Sequence, residues 1–105
     1  MRVALDLRPN CELCDRDLPA DAADARICTY ECTFCATCVE EVLHNVCPNC
    51  GGGFEARPIR PARAWRAGAG LVNDPASLRR RHTPYTREEI EAFVATLRDV
   101  EPGSR

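Results

Sequence analysis

The sequence predicts a small α+β domain that is held together by zinc ions and followed by an arginine- and proline-rich segment and a C-terminal amphipathic helix. Two observations lead to this prediction. The chain has 105 residues but only three Phe, two Tyr and one Trp, which is too few for a deep hydrophobic core in so short a protein. It also carries eight cysteines, all of them between residues 11 and 50. Clustered cysteines commonly replace a missing core in small domains.

The spacing of the cysteines is typical of metal ligands. They follow the pattern C-x2-C, x13, C-x3-C-x2-C-x2-C, x8, C-x2-C. Two intervening residues let both sulfurs of a pair reach one tetrahedral ion at about 2.3 Å. In the last pair, Pro48 fixes φ and Gly51 permits a left-handed residue after the second ligand. We therefore predict two Zn²⁺ per chain, each in a closed four-thiolate site that is structural, because it leaves no position for water.

The segment between Cys38 and Cys47 decides which cysteines share an ion. Its apolar residues follow helical spacing: Val39, Val42, Leu43 and Val46. A helix would hold Cys38 and Cys47 roughly 13 Å apart, whereas two sulfurs on one zinc ion are about 4 Å apart. This favours an interleaved arrangement, with Cys11, Cys14, Cys35 and Cys38 at the first site and Cys28, Cys32, Cys47 and Cys50 at the second. The argument for interleaving fails if the segment is a loop.

Two other uses of the cysteines compete with zinc. The run Cys32-x2-Cys35-x2-Cys38 resembles the opening of a ferredoxin iron–sulfur motif, but that motif continues with x3-Cys-Pro, and here residues 39–46 intervene. Disulfides require an oxidising compartment, and the first ten residues lack the apolar region of a secretion signal. No run approaches the roughly 18 apolar residues of a membrane span. We expect zinc, a cytoplasmic location and no membrane association.

The sequence offers little material for catalysis. It contains two histidines: His44 on the polar flank of the predicted helix, and His82 after three consecutive arginines. All eight cysteines are already assigned as ligands, and a closed site has no open coordination position for metal-assisted hydrolysis. We therefore predict no catalytic residues and no enzymatic activity.

Charge is strongly segregated along the chain. Residues 1–56 hold ten acidic residues against four arginines, residues 57–82 hold seven arginines against one aspartate, and residues 83–105 hold five acids against three arginines. Four arginines recur at every third position, which is the period of polyproline II: Arg57, Arg60, Arg63 and Arg66. Such a row could bind phosphates, fold back onto the acidic first half, or remain solvated as a linker. Trp65 could stack on a base or dock on the module.

We divide the chain into a two-zinc module at 1–56, an Arg/Pro-rich linker at 57–84 and a helix at 85–101. Alternation of Val3, Leu5 and Leu7 predicts a leading strand. Thr86 and Glu89 form a capping box for the last helix. The apolar stripe of that helix either covers the module or mediates self-association: Ile90, Phe93, Val94 and Leu97.

The ligand order resembles that of a RING finger, with Cys32 in the place of the usual histidine and Phe34 just before Cys35. The segments LRPNCELCDRDLP and CTYECTFCATC, followed by NVCPNCGG, also resemble a small bacterial cysteine-rich family catalogued as a domain of unknown function. That resemblance covers about residues 7–61. Together the two resemblances imply a RING-like cross-brace fold.

A RING resemblance also implies a possible ubiquitin ligase activity. Leu13 and Pro48 match the positions at which RING ligases contact a conjugating enzyme, whereas Val42 and Gly51 depart from that pattern. We predict a non-catalytic zinc-binding module for protein–protein interaction or scaffolding, with an unknown protein partner. A nucleic-acid-binding regulatory protein that uses the arginine tract is the alternative, and ligase-like activity is the second alternative.

Overall fold

The computed structural model of the chain describes residues 4–105. The strands are β1 (Ala25–Ile27), β2 (Thr33–Cys35) and β3 (Glu55–Ala56). The helices are α1 (Ala36–Cys38), which continues directly into a π-helical turn (Val39–Leu43), α2 (Arg87–Leu97) and a final 3-10 turn (Pro102–Ser104). The prediction of a small α+β protein is confirmed.

The three strands form one antiparallel sheet in the order β2-β1-β3. Ala25 of β1 lies opposite Cys35 of β2, and Arg26 lies opposite both Phe34 and Ala56. The turn between β1 and β2 closes with a hydrogen bond of 3.2 Å from the Cys28 N–H to the Cys32 carbonyl. The sheet therefore positions cysteines at its turn and at the end of β2. Strands of two or three residues are too short to show alternation, so the sequence did not predict them.

The strand predicted at the start of the chain is not seen among the described residues. Val3 lies outside the described residues, and residues 4–9 form no strand. Leu7 has a φ of 54°, and its side chain is buried. A left-handed residue cannot continue a pleated strand, so the alternation at this point reflects burial of one leucine and not a sheet.

The helix predicted over 39–46 is partly confirmed. Helical structure begins earlier, at Ala36, and ends at Leu43. It is terminated by two successive left-handed residues, His44 with a φ of 46° and Asn45 with a φ of 63°. The Asn45 side chain connects the end of this helix to the segment before β3, because its Oδ1 accepts a hydrogen bond of 2.8 Å from the Phe54 N–H. The short helix thus turns the chain back toward the last cysteine pair.

The core is small and centred on sulfur. Six of the eight cysteines belong to its buried cluster, and Cys14 and Cys50 are exposed. Phe34 packs edge-on against Phe54 with ring centroids 5.5 Å apart. The largest fully buried apolar side chains are Phe34, Leu18, Leu43, Ile90 and Val46. This agrees with the expectation that aliphatic burial alone is modest in this chain.

Helix α2 packs against the cysteine-bearing part. Ile90 and Val94 are buried in the same cluster as the cysteines. The predicted capping box is confirmed: the Glu89 N–H donates to Thr86 Oγ1, and Glu89 Oε1 accepts from the Thr86 N–H. Leu97 lies so near Gly51 that a Cβ added there would be 3.3 Å from the leucine. The stripe of α2 therefore covers the module, which is one of the two predicted arrangements.

The arginine-rich segment contains no regular helix or strand between residues 57 and 84, yet it lies on the module. Arg57 is buried and Arg60 donates to the carbonyls of Leu5 and Asp74, whereas Arg63 and Arg66 are exposed. These arginines consequently do not form one exposed row.

Two further features concern the surface of the chain. Trp65 is 73% exposed, so it does not dock on the module. In the part of the chain that the structure describes, no helix is both long and apolar enough to cross a lipid bilayer.

Candidate metal centre

The first sulfur group consists of Cys11, Cys14, Cys35 and Cys38, whose sulfurs all lie within 4.8 Å of one another. The sulfurs of Cys14 and Cys35 are 3.8 Å apart, and the edge of a tetrahedron with bonds of 2.3 Å is about 3.8 Å. Two elements bring these residues together: the turn at residues 11–15, and the junction between β2 and α1, where Cys35 and Cys38 are spaced by one helical turn.

The second group consists of Cys28, Cys47 and Cys50, again within 4.8 Å of one another. Cys32 lies beside this trio, since its thiol interacts with those of Cys28 and Cys47. Its sulfur is nevertheless outside the limit that encloses the three others. Of the predicted ligands in the described chain, Cys32 is therefore the one that the structure does not fully bring into its group.

The two groups alternate along the chain, and Cys38 and Cys47 fall in different groups. Sequential pairing would have put these two cysteines on one ion. Between them the chain is helical as far as Leu43, and each residue of a helix adds a rise of about 1.5 Å.

The turns that carry the outer cysteine pairs have the same backbone form. We call residues 11–15 the first knuckle and residues 47–51 the second knuckle. The Asp15 N–H donates to the Cys11 carbonyl at 2.9 Å, and the Gly51 N–H donates to the Cys47 carbonyl at 2.7 Å. Asp15 and Gly51 are both left-handed, with φ of 66° and 82°. The left-handed residue predicted at Gly51 is thus confirmed, and Asp15 adopts it despite having a side chain.

Backbone amides point at several sulfurs. The Tyr30 N–H donates to Cys28 Sγ at 3.3 Å, and the Gly52 N–H donates to Cys50 Sγ at 3.4 Å. Such bonds spread the charge of a thiolate and orient it toward a metal ion. They stabilise the deprotonated form that a metal ion requires.

In the second group, hydrogen bonds between thiols are the largest influence on the pKa values of Cys28 and Cys47. Hydrogen bonds from the thiols of Cys32 and Cys47 lower the pKa of Cys28 to about 3 despite its burial. The same bonds to Cys28 and Cys32, followed by burial, raise the pKa of Cys47. The opposite directions of these two shifts mean that ionisation of Cys28 disfavours a second negative charge at Cys47.

In the first group burial is the main influence. It raises the pKa of Cys38 and of Cys11. Burial also opposes ionisation of Cys14, but hydrogen bonds from the Arg16 backbone and from neighbouring sulfurs outweigh it and lower that pKa. A divalent cation would relieve the repulsion among these thiolates. The donor set of both groups is all sulfur, which fits Zn²⁺ and also iron–sulfur centres.

A buried acid links the two groups, and the sequence analysis missed it. Glu12 lies inside the first knuckle, and its residue is 3% exposed. Its carboxylate accepts hydrogen bonds from the Thr33 N–H at 2.6 Å, from Arg8 at 3.0 Å and from Asn49 at 3.4 Å. In the sequence alone, an acidic residue between two cysteines looks like an ordinary solvent-exposed side chain. No local pattern therefore indicated that Glu12 is buried.

Residues 77–83 form a strap across the first knuckle. The Arg81 N–H donates to Oδ1 of the buried Asn10, whose Nδ2 donates to the Arg81 carbonyl. The Thr83 N–H donates to the Glu12 carbonyl at 2.8 Å. Arg80 forms ion pairs with Asp15 and Asp17. The basic segment therefore reaches the acidic first half through Arg80. The predicted fold-back concerned the row of Arg57, Arg60, Arg63 and Arg66, and in that row Arg57 and Arg60 bond backbone carbonyls and not acidic side chains.

Comparison with known proteins gives a family match for the part of the chain that carries the cysteines. Residues 4–60 match the family described as "Protein of unknown function (DUF1272)". This chain belongs to the DUF1272 family. A chain from Rhizobium meliloti (strain 1021), "Uncharacterized protein R02474", is 67% identical over 58 residues, which are 55% of this chain and 69% of that protein. No solved structure matches the chain.

The predicted resemblance to a small cysteine-rich family of unknown function is thus confirmed. All eight cysteines and Glu12 lie inside the DUF1272 region, because it spans residues 4–60. The strap and α2 lie beyond it. The family region therefore contains both sulfur groups, while the cover over them comes from the rest of the chain.

Proposed function

We propose that this DUF1272 chain is a non-catalytic protein-interaction module whose fold depends on two structural zinc ions. The ions are held in a RING-like cross-brace, the first by Cys11, Cys14, Cys35 and Cys38, the second by Cys28, Cys47 and Cys50 with Cys32 as the fourth ligand. One observation supports this most strongly: seven of the eight cysteines form two tight groups that alternate along the chain. In zinc-finger peptides, the apparent free energy of zinc binding at one such structural site is about 10–16 kcal/mol, and this energy drives folding.

Metal analysis tests the foundation of the proposal. Purified full-length chain should contain two zinc ions per molecule. The Cys11→Ser and Cys47→Ser variants should each lose one ion, since they remove a ligand from different sites. A content of one metal ion, or of iron with strong visible absorbance, would contradict the two-site scheme.

Exposed apolar side chains on the arginine-rich segment support a protein partner. Four are more than half exposed: Ile59 at 54%, Trp65 at 73%, Val72 at 71% and Leu78 at 93%. The chain has few large apolar side chains, and these four are exposed to water. Their burial against a partner would be favourable. This observation favours interaction over a purely solvated linker.

The interaction is tested with two matched double variants. A partner retained by the intact chain should be lost from Trp65→Ser/Leu78→Ser and kept by Arg63→Ala/Arg66→Ala, with two zinc ions bound in all three proteins. Equal retention by both variants would argue against an apolar interface on this segment. Loss from the arginine variant alone would indicate a charged ligand.

Nucleic-acid binding is the alternative that the arginine tract suggests, and we favour it less. Three guanidinium groups of the tract are engaged within the chain: Arg57 and Arg60 by carbonyl oxygens, and Arg80 by Asp15 and Asp17. Filter binding of a labelled duplex at two salt concentrations separates the cases. Strong binding with a steep salt dependence would support the nucleic-acid function.

Ligase-like activity is the second alternative. The face that the RING resemblance implicates includes Val42, which packs against the core, and Gly51, where an added Cβ would lie 3.3 Å from Leu97 of α2. Because α2 occupies part of this face, a conjugating enzyme would have to displace it. We expect no ubiquitin chain formation in a transfer assay with several conjugating enzymes, and chain formation would overturn this expectation.

A further inference from the structure

We propose that Glu12 couples the two sulfur groups, so that the chain takes up its two metal ions cooperatively. This inference rests on the proposed function, because it concerns the zinc ions that the two groups would hold. It goes further by assigning a buried side chain that is not itself a ligand to the communication between the sites.

The backbone of Glu12 belongs to the first group. It lies between Cys11 and Cys14, and the first knuckle fixes its orientation through the bond from the Asp15 N–H to the Cys11 carbonyl. The Glu12 N–H also donates to the Thr33 carbonyl. The Glu12 carbonyl accepts a hydrogen bond from the Thr83 N–H of the strap. The residue is therefore held on both sides by main-chain bonds, and its carboxylate direction depends on an ordered first knuckle.

The side chain of Glu12 makes three connections toward the second group, one to the turn that carries Cys47 and Cys50 and two to Cys32, which lies beside the group. One oxygen accepts from the Thr33 N–H, which follows Cys32 directly in the chain. The other accepts from Asn49 Nδ2, and Asn49 lies between Cys47 and Cys50. The third route passes through Arg8, whose guanidinium bonds to Glu12 and interacts with the sulfur of Cys32.

These contacts are costly to break separately. Glu12 is buried, and the Arg8 side chain is only 11% exposed. A buried carboxylate that lost its partners would carry a desolvation penalty, since each of its bonds replaces bonds to water. If one knuckle is disordered, the carboxylate must either lose partners or leave the interior. Order at one sulfur group therefore favours order at the other, and such coupling acts equally in both directions.

The test is native mass spectrometry of the full-length chain during substoichiometric zinc addition. In the wild-type chain we expect mainly the forms with no zinc and with two zinc ions, and a one-zinc form well below the binomial share of two independent sites. In Glu12→Ala the one-zinc form should become prominent. The affinity for the second ion, relative to that for the first, should be about 10-fold lower than in the wild-type chain.

Any two-site protein that folds on metal binding shows some cooperativity, so a matched control is needed. Arg57→Ala removes a buried side chain whose bonds go to the carbonyls of Arg8, Leu18 and Pro19 and to no sulfur group. It should weaken both zinc-binding steps without raising the share of the one-zinc form. Asn49→Ala, which removes one route only, should shift the distribution in the same direction as Glu12→Ala and by less.

If Glu12→Ala fails to fold even with excess zinc, Glu12→Gln replaces it, because the amide keeps the size and loses the charge that pairs with Arg8. An unchanged one-zinc share in the Glu12 variants, or an equal rise in Arg57→Ala, would overturn the coupling. A binomial distribution in the wild-type chain would also overturn it, while leaving the two-zinc function intact. A wild-type chain that binds no zinc would instead refute the proposed function.

Discussion

Arg57 places a guanidinium group in the interior and satisfies it with backbone oxygens. Its Nη1 donates to the Arg8 carbonyl at 2.8 Å, and its Nη2 donates to the carbonyls of Leu18 and Pro19 at 3.1 and 2.9 Å. Burial lowers the pKa of this arginine. The side chain therefore fastens the start of the arginine-rich segment to the first part of the module.

Replacing Arg57 with Ala should lower the free energy of unfolding of the zinc-loaded chain by about 3 kcal/mol, because three backbone carbonyls lose a charged donor. Urea denaturation followed by circular dichroism measures the change. The exposed Arg63→Ala is the matched control, and we expect it to stay within about 0.5 kcal/mol of the wild type. Equal losses in the two variants would contradict the assigned role.

For single residues, the sequence predicted which side chains could bind a metal ion better than it predicted which side chains are buried. The cysteine spacing singled out eight candidate ligands, and the structure brings seven of them into two groups, because metal coordination imposes a local geometry that spacing reveals. The arginine repeat, by contrast, presents Arg57 and Arg63 identically, although one is buried and the other exposed. Burial depends on contacts with residues about 40 to 50 positions away in the chain, as between Arg57 and Arg8, and no local pattern carries that information.

Among the elements, α2 was the most predictable. Its start is determined by Thr86 and Glu89, which satisfy each other's backbone N–H groups. The strands were not predictable, because a strand of two or three residues is specified by its partners and not by its own sequence. The helix after Cys35 began earlier than its apolar spacing predicted because Ala36 and Cys38 lie outside that spacing.

The cap of α2 yields a prediction for one element. Thr86→Ala should cost about 1 kcal/mol of stability, since the Glu89 N–H loses its acceptor. Thr86→Ser keeps the hydroxyl and should behave like the wild type. Thermal denaturation of the zinc-loaded variants measures both. A serine variant as unstable as the alanine variant would show that the methyl group, not the cap, is responsible.

The turn near Gly70 gives a second prediction at this scale. Gly70 has a φ of 81°, and a Cβ added there would lie 2.3 Å from the Arg63 carbonyl oxygen. Gly70→Ala should therefore destabilise the chain by more than about 1 kcal/mol, through both the clash and the left-handed backbone. Gly103→Ala, where nothing lies within 4 Å, is the control and should be nearly neutral. Similar melting temperatures for the two variants would contradict the close approach.

On the scale of the whole molecule, the fold extends past the family region. The DUF1272 match ends at residue 60, but Ile90 and Val94 of α2 join the same buried cluster as the cysteines. The charge segregation read from the sequence anticipated part of this arrangement, because Arg80 does pair with Asp15 and Asp17. The exact path of the strap followed from hydrogen bonds of Asn10 and Thr83, which charge counting cannot predict.

Removing the metal tests this integration. Treatment with a strong zinc chelator should unfold the entire chain, α2 included, because an eleven-residue helix is marginal without tertiary packing. Helical circular dichroism and resistance to trypsin should be lost together and return when zinc is added in excess. A metal-free chain that keeps its helical signal and its protease resistance would show that aliphatic packing alone supports the fold.

The position of Trp65 has a practical consequence for all of these measurements. It is the single tryptophan of the chain and is 73% exposed in the native fold. Its fluorescence emission should already resemble that of an indole in water, so unfolding will change the emission maximum very little. A flat fluorescence trace during denaturation would therefore report the surroundings of one surface side chain and would say nothing about the sulfur-centred interior.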